Sequence, residues 1–180
     1  MHVNTDNPFK LLLDIEQRCQ QTAAELPSAV DAEEKWVGVG FRVGDDKLIA
    51  PMDQVEEILD VPEFTRVPGV KSWVIGVANV RGSLLPMIDL KGYIIGEDMK
   101  QRKRGRVIVI NYKGFNTGLV VDEVYGMRHF LLKDRVDESA NVHNSISPYT
   151  DKVFKQEGES WPVFNFKNIV EDERFTLASL

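Results

Sequence analysis

The chain has 180 residues, 43% of them hydrophobic and 28% charged, with a formal net charge of -6. That length suits one domain with appendages and a substantial core, and the acidic balance argues against duplex nucleic acid as a partner. One cysteine, Cys19, permits no internal disulfide, no apolar run approaches the roughly 20 residues of a membrane-spanning helix, and MHVNTDNPFK lacks the layout of a secretory signal, so a soluble, cytoplasmic protein is expected.

In chain order, residues 1–35 read as a helical extension and linker. Asn7 can cap a helix and Pro8 suits its first position, where a missing N–H costs nothing. Leu12, Ile15, Cys19, Ala23 and Leu26 then recur at three- and four-residue spacing, so the pattern predicts an amphipathic helix over 8–26 that Pro27 ends. Its apolar stripe needs cover, and packing on the rest of the chain is favoured over packing on a partner.

From 36 to 166 the period changes. WVGVGFRVG, KLIAPM, WVIGVANV, SLLPMIDL, RVIVINYKG, FNTGLVVDEV, DKVFKQEG and SWPVFNF are short runs rich in valine, isoleucine and aromatics. GDDK (44–47), RGS (81–83) and KGFN (113–116) are the clearest turns between them. Short strands at this spacing predict one or two small barrels. Short helices are expected at DQVEEIL (53–59) and DLKGYI (89–94), and the tail over 167–180 reads as partly helical.

The sequence offers little chemistry. His2, His129 and His143 lie far apart with no histidine or cysteine nearby, so a metal site is not expected. Cys19 has no evident base and sits on a helix stripe, where a packed thiol is the simpler reading. No phosphate-binding loop, dinucleotide fingerprint or nucleophile elbow occurs. Asp45–Asp46 and Asp122–Glu123 are adjacent pairs, which on a strand point to opposite faces. KQRKRGR, residues 100–106, carries five basic side chains but no interleaved aromatics, so it reads as a solvated strand-edge guard or a docking patch rather than a nucleic-acid site. Neither catalysis nor a cofactor is expected.

The informative stretch is GVANVRGSLLPMIDL, residues 76–90. It reads as two strands joined at Arg81-Gly82-Ser83, with Leu84, Met87, Ile88 and Leu90 expected in the core. Pro86 cannot donate to a ladder, so its strand should be an edge or carry a bulge. Asn79 and Arg81 stand where another valine would be unremarkable. A charge in such a place must be paired or reach solvent, and Arg81 is expected at the rim of a barrel with its stem against Val77 or Leu84. Physics alone leaves two readings open: an arginine that fixes the turn, and an arginine that organises a partner-binding surface.

These residues also carry a resemblance. Gly76, Asn79, Arg81, Gly82, Pro86, Asp89 and Leu90 match the central motif of the CheW-like family of bacterial chemosensory adaptors. PMDQVEEIL upstream, V-P-G at 67–69 and GLVVDEVYGM at 118–127 are similar to its flanking segments, so the likeness spans about 36–166. The N-terminal extension further resembles the CheW-like proteins of type IV pilus twitching systems. The resemblance implies a mainly β fold of two SH3-like, five-stranded barrels around a shared core, with helices at either end. It implies a non-enzymatic adaptor that binds the cytoplasmic tip of a chemoreceptor and the regulatory domain of a CheA-type histidine kinase, monomeric in isolation and part of a large array at the membrane. The partner-binding positions it implies are Val55, Glu57, Ile58, Gly76, Asn79, Arg81, Val124 and Met127, and Glu57, from the upstream motif of the family, is the carboxylate expected to pair with Arg81. The alternatives are a regulatory module of a kinase and a generic SH3-like binder. The latter would show clustered exposed aromatics, whereas Trp36, Trp73 and Trp161 are spread over strands and read as core.

Overall fold

The computed structural model describes Phe9, Leu12, Leu13, Ile15, Glu16 and residues 34–97, 104–138 and 141–177. The chain divides into two compact units, Met1–Glu33 and Glu34–Leu180. In the first, the five described positions are helical, as the sequence predicts. The rest of the helix expected over 8–26 and the linker up to residue 33 lie outside the described residues.

The second unit is built from β1 (Lys35–Val43), β2 (Asp46–Pro51), β3 (Glu57–Asp60), β4 (Phe64–Thr65), β5 (Val74–Val80), β6 (Ser83–Asp89), α1 (Leu90–Ile95), β7 (Arg106–Tyr112), β8 (Phe115–Val121), β9 (Glu123–Leu131), β10 (Arg135–Val136), β11 (Thr150–Gln156), β12 (Glu159–Phe164), α2 (Phe166–Val170) and α3 (Glu173–Thr176). Two six-stranded sheets result, in the orders β10-β11-β12-β2-β1-β9 and β3-β7-β8-β6-β5-β4. One strand of each sheet, β10 or β4, is only two residues long, which leaves the five full strands expected for a small barrel. The first sheet takes strands from both ends of this unit, joined where β12 lies parallel to β2 at Val163 and Ile49. The second sheet is inserted between them.

Three apolar clusters hold this architecture. Ile49, Phe130, Phe154, Trp161 and Val163 fill the first sheet, and Ile75, Ala78, Leu85, Met87, Val107, Val109 and Val120 fill the second. A larger cluster joins the two sheets, with Phe41, Val43 and Leu48 meeting Ile88, Ile108, Ile110 and Leu119. Strand β7 shows why RVIVINY is apolar without a break: Val107 and Val109 face one core while Ile108 and Ile110 face the other. The tail belongs to this unit, since Phe166, Ile169 and Val170 of α2 are buried in the shared core. Trp161 is buried, and Trp36 and Trp73 pack half-buried against the cores.

The structure departs from the sequence reading at four places. The helix expected at 53–59 is a single 3-10 turn, Met52–Gln54, followed by β3. Pairing of Glu57–Asp60 with β7 outweighs the helical spacing of those residues. Strand β9 was not foreseen beyond Val124, because a bulge at Tyr125 breaks its alternation opposite Gly40 and Phe41. Leu84, expected in the core, is 75% exposed, because it alternates with the buried Leu85.

Pro86 is the fourth. Strand β6 is internal to its sheet and not an edge, and the irregularity in its pairing with β5 lies on β5, between Val74 and Gly76. Its ladder with β8 begins only at Met87, so the chain at Pro86 has β5 as its one neighbour. Counting from the turn, Val77 and Pro86 form a pair without mutual hydrogen bonds. The missing N–H therefore costs no ladder bond.

Candidate functional site

Tight two-residue turns shape the candidate site. At Arg81-Gly82, Lys113-Gly114 and Glu157-Gly158 the first residue has φ +51° and the glycine +80° to +85°. Positive φ at both positions marks the turn whose twist matches the flanking strands. Arginine is unusual there, because a side chain in the left-handed region crowds its own backbone. This answers why the apolar stretch is interrupted at Arg81: the residue stands at a hairpin tip, outside the core.

From that tip the Arg81 guanidinium donates to Glu57 Oε1 at 2.5 Å. Glu57 opens β3, at the far edge of the same sheet, with β7 and β8 between it and the β5–β6 hairpin. The ion pair thus spans the open side of the curled sheet. The Arg81 side chain is 78% exposed and that of Glu57 26%. Water screens a pair this open, which contributes about 0–1 kcal/mol, so it fixes geometry more than stability. Asn79 Oδ1 accepts from the Gly82 N–H at 2.9 Å and closes the turn from beneath.

The other expected positions fall into three groups. Ile58 points outward from β3 and is exposed. Val55 and Val124 pack half-buried against the shared core. Gly76 is buried at φ +149°, and a Cβ there would lie 2.3 Å from the Thr65 carbonyl oxygen, so it lets β4 approach β5 closely. Met127 is exposed, but it and Val124 lie on β9 in the other sheet. The structure therefore gathers Glu57, Asn79 and Arg81 on the rim of one barrel. It adds Leu84, which the parity of β6 against the buried Leu85 and Met87 could have revealed.

Sequence reasoning also missed a polar cluster around the tail. Tyr149 Oη donates to Asp172 Oδ2 at 2.7 Å, and the Arg174 guanidinium donates to Asp172 Oδ2 at 2.8 Å and to Tyr149 Oη at 2.7 Å. Arg174 also lies over the Tyr93 ring, and Phe175 stacks with Trp73 at 6.1 Å. Hydrogen bonds from Arg174 hold the Asp172 carboxyl well below its usual range, while burial pushes the Tyr93 and Tyr149 hydroxyls up. Tyr112 Oη and Lys113 Nζ both donate to Glu171 at 2.8 Å. An open cleft of about 560 Å³ runs beside this cluster, lined by Ile94, Pro148, Asn168 and Asp172 among others. Its charged groups are consumed by one another, so the cluster reads as a fastening. Among the described residues no group of histidines, cysteines and carboxylates could hold a metal ion, and no helix is long and apolar enough to cross a membrane.

Comparison with known proteins agrees with this fold. A profile of the CheW-like domain matches residues 37–174. The Pseudomonas aeruginosa protein PilI is 41% identical over 172 residues, 96% of each chain. The chemotaxis protein CheW of Thermotoga maritima is 24% identical over 147 residues, 82% of this chain and 95% of its own. Protein FrzA of Myxococcus xanthus is 33% identical over 94 residues, 52% of this chain and 59% of its own. The crystal structure of the scaffolding protein TtCheW from Thermoanaerobacter tengcongensis superposes with a TM-score of 0.67 at 19% identity, covering 78% of this chain and 95% of that one.

Proposed function

The chain belongs to the CheW-like domain family, and from that premise we propose that it is a non-catalytic adaptor coupling chemoreceptor tips to a CheA-type histidine kinase. Likeness to PilI along nearly the whole length supports an array that governs twitching by type IV pili. The place of work is then the cytoplasm, at receptor arrays, with the isolated chain a monomer.

The observation that carries this reading is the meeting of Arg81 and Glu57, from separate motifs, on the rim of the second barrel. A guanidinium held by one carboxylate oxygen keeps further donors for a partner, and Ile58 and Leu84 supply exposed apolar surface on the same two elements. Such a patch joins an arginine, a residue enriched in protein-binding hot spots, to exposed apolar surface.

Reconstitution tests the proposal. Adding the purified chain to the kinase and a receptor tip should make kinase autophosphorylation depend on the receptor, while no labelled phosphate appears on the chain itself. Phosphate transferred to this chain, or a kinase indifferent to it, would overturn the adaptor reading.

A further inference from the structure

Asn79 lies on β5 opposite the exposed Leu84 and is itself exposed. A strand surface of this kind favours β-branched or aromatic side chains, and asparagine is a poor choice for it. Its amide is occupied inward, with Oδ1 on the Gly82 N–H.

The other two-residue turns show whether a turn of this kind needs that bond. Asn111 stands at the same place before Lys113-Gly114 as Asn79 does before Arg81-Gly82, and the backbone angles of the two turns agree within a few degrees. Among the described residues Asn111 makes no hydrogen bond to Gly114. The third turn, Glu157-Gly158, has Lys155 at that place, which carries no acceptor. Both hairpins close without a side-chain cap. What differs at the capped turn is the work of its first residue. All three first residues hold the same left-handed angle, but Arg81 must also aim a planar guanidinium at a single carboxylate oxygen. Lys113 reaches Glu171 through a freely rotating stem and a spherical ammonium.

We propose that Asn79 is a positioning residue: by accepting the Gly82 N–H it locks the turn so that Arg81 pairs with Glu57 and presents its remaining donors to the partner. Asn79 itself does not touch the partner. This deepens the adaptor reading and rests on it for the binding step alone.

The test uses the full chain, with the receptor tip as ligand and the Arg81 guanidinium ¹⁵N resonance as a partner-free probe. That resonance is the one that shifts in Glu57→Gln. Asn79→Ala should shift it in the same direction, weaken receptor binding by the same factor as Arg81→Ala, at least about tenfold, and add nothing in the Arg81→Ala background. Asn79→Ser, which keeps a hydroxyl acceptor, should recover part of both signals. A resonance that stays put while binding falls would mean that Asn79 contacts the partner, and the proposal fails. It fails equally if resonance and binding are both unchanged. It also fails if the melting temperature falls with changes across the whole spectrum, because the bond would then be a general requirement of the fold. Should Arg81→Ala and Glu57→Gln leave binding intact, the adaptor surface is misplaced, yet the resonance still decides whether Asn79 positions Arg81.

Discussion

Arg81 and Arg174 make the same kind of bond and serve opposite ends. Each donates to a carboxylate on the surface of the barrel unit, and both are mostly exposed, 78% and 65% of the side chain. Arg174 binds both oxygens of Asp172 and the Tyr149 hydroxyl and lies over the Tyr93 ring, so its donors are spent inside the chain. Arg81 is held at one oxygen of Glu57. Closed networks stabilise; a singly anchored arginine keeps donors free, which is what the proposed docking role requires. The count of internal partners separates a fastening from a docking group where charge and exposure do not.

The largest effect belongs beneath the Arg81 hairpin. Gly76→Val drives a side chain into the Thr65 carbonyl at a backbone angle that valine resists, and a loss of about 3 kcal/mol or more is expected. Denaturant unfolding should show it, together with lost binding. A variant of native stability would mean that β4 moves freely.

Asp172→Ala comes next. It removes the cap of α3, worth about 1 kcal/mol, and strands the Tyr149 hydroxyl and Arg174. A total loss of about 2 kcal/mol is expected, or roughly 4–8 °C in a domain of this size, with receptor binding unchanged. The carboxyl is depressed in the fold, so the stability it gives is complete above its unfolded value near about pH 4 and is lost as pH falls through the lower folded value. The gap between wild type and Asp172→Asn should therefore be full at neutral pH and shrink steadily in acid. A constant gap would leave the cap as its only role.

Arg81→Ala inverts the pattern. Binding of the receptor tip should fall at least about tenfold, or about 1.4 kcal/mol, while stability changes by less than about 1 kcal/mol. Arg81→Gly sharpens the contrast, because glycine relieves the left-handed angle: the melting temperature should hold or rise slightly while binding is lost. Circular dichroism and a pulldown on one preparation decide it. The smallest effect is expected at Leu84, where Leu84→Ser should leave stability within about 0.5 kcal/mol and weaken binding a few-fold.

Much of this was legible in the residues. Strands with clean alternation and glycine turns announced themselves; the need to satisfy a charge amid apolar neighbours called for a partner to Arg81, and the family motif upstream pointed to Glu57. Features set by long-range pairing were hidden. The stretch DQVEEIL has helical spacing, and only the ladder with β7 makes it extended. Strand β9 loses its period at a bulge whose purpose lies in β1. The cluster of Tyr93, Tyr149, Asp172 and Arg174 is assembled from separate elements, and no local pattern marks it. Leu84 was a misreading of parity that its neighbours could have corrected.

The interleaving of the two sheets has a consequence for synthesis. As the polypeptide leaves the ribosome, strands β3 to β8 can pair with one another as soon as they emerge, whereas β2 must wait for β12, close to the end of the chain, to meet it at Ile49 and Val163. Closing so long a loop carries an entropic cost that the short hairpins avoid, and pairings distant in sequence are slow. The second barrel should thus mature first and serve as a template against which the first completes itself. Until then β2 presents an unpaired edge, the interval in which a nascent copy is most open to chaperones and to its own neighbours.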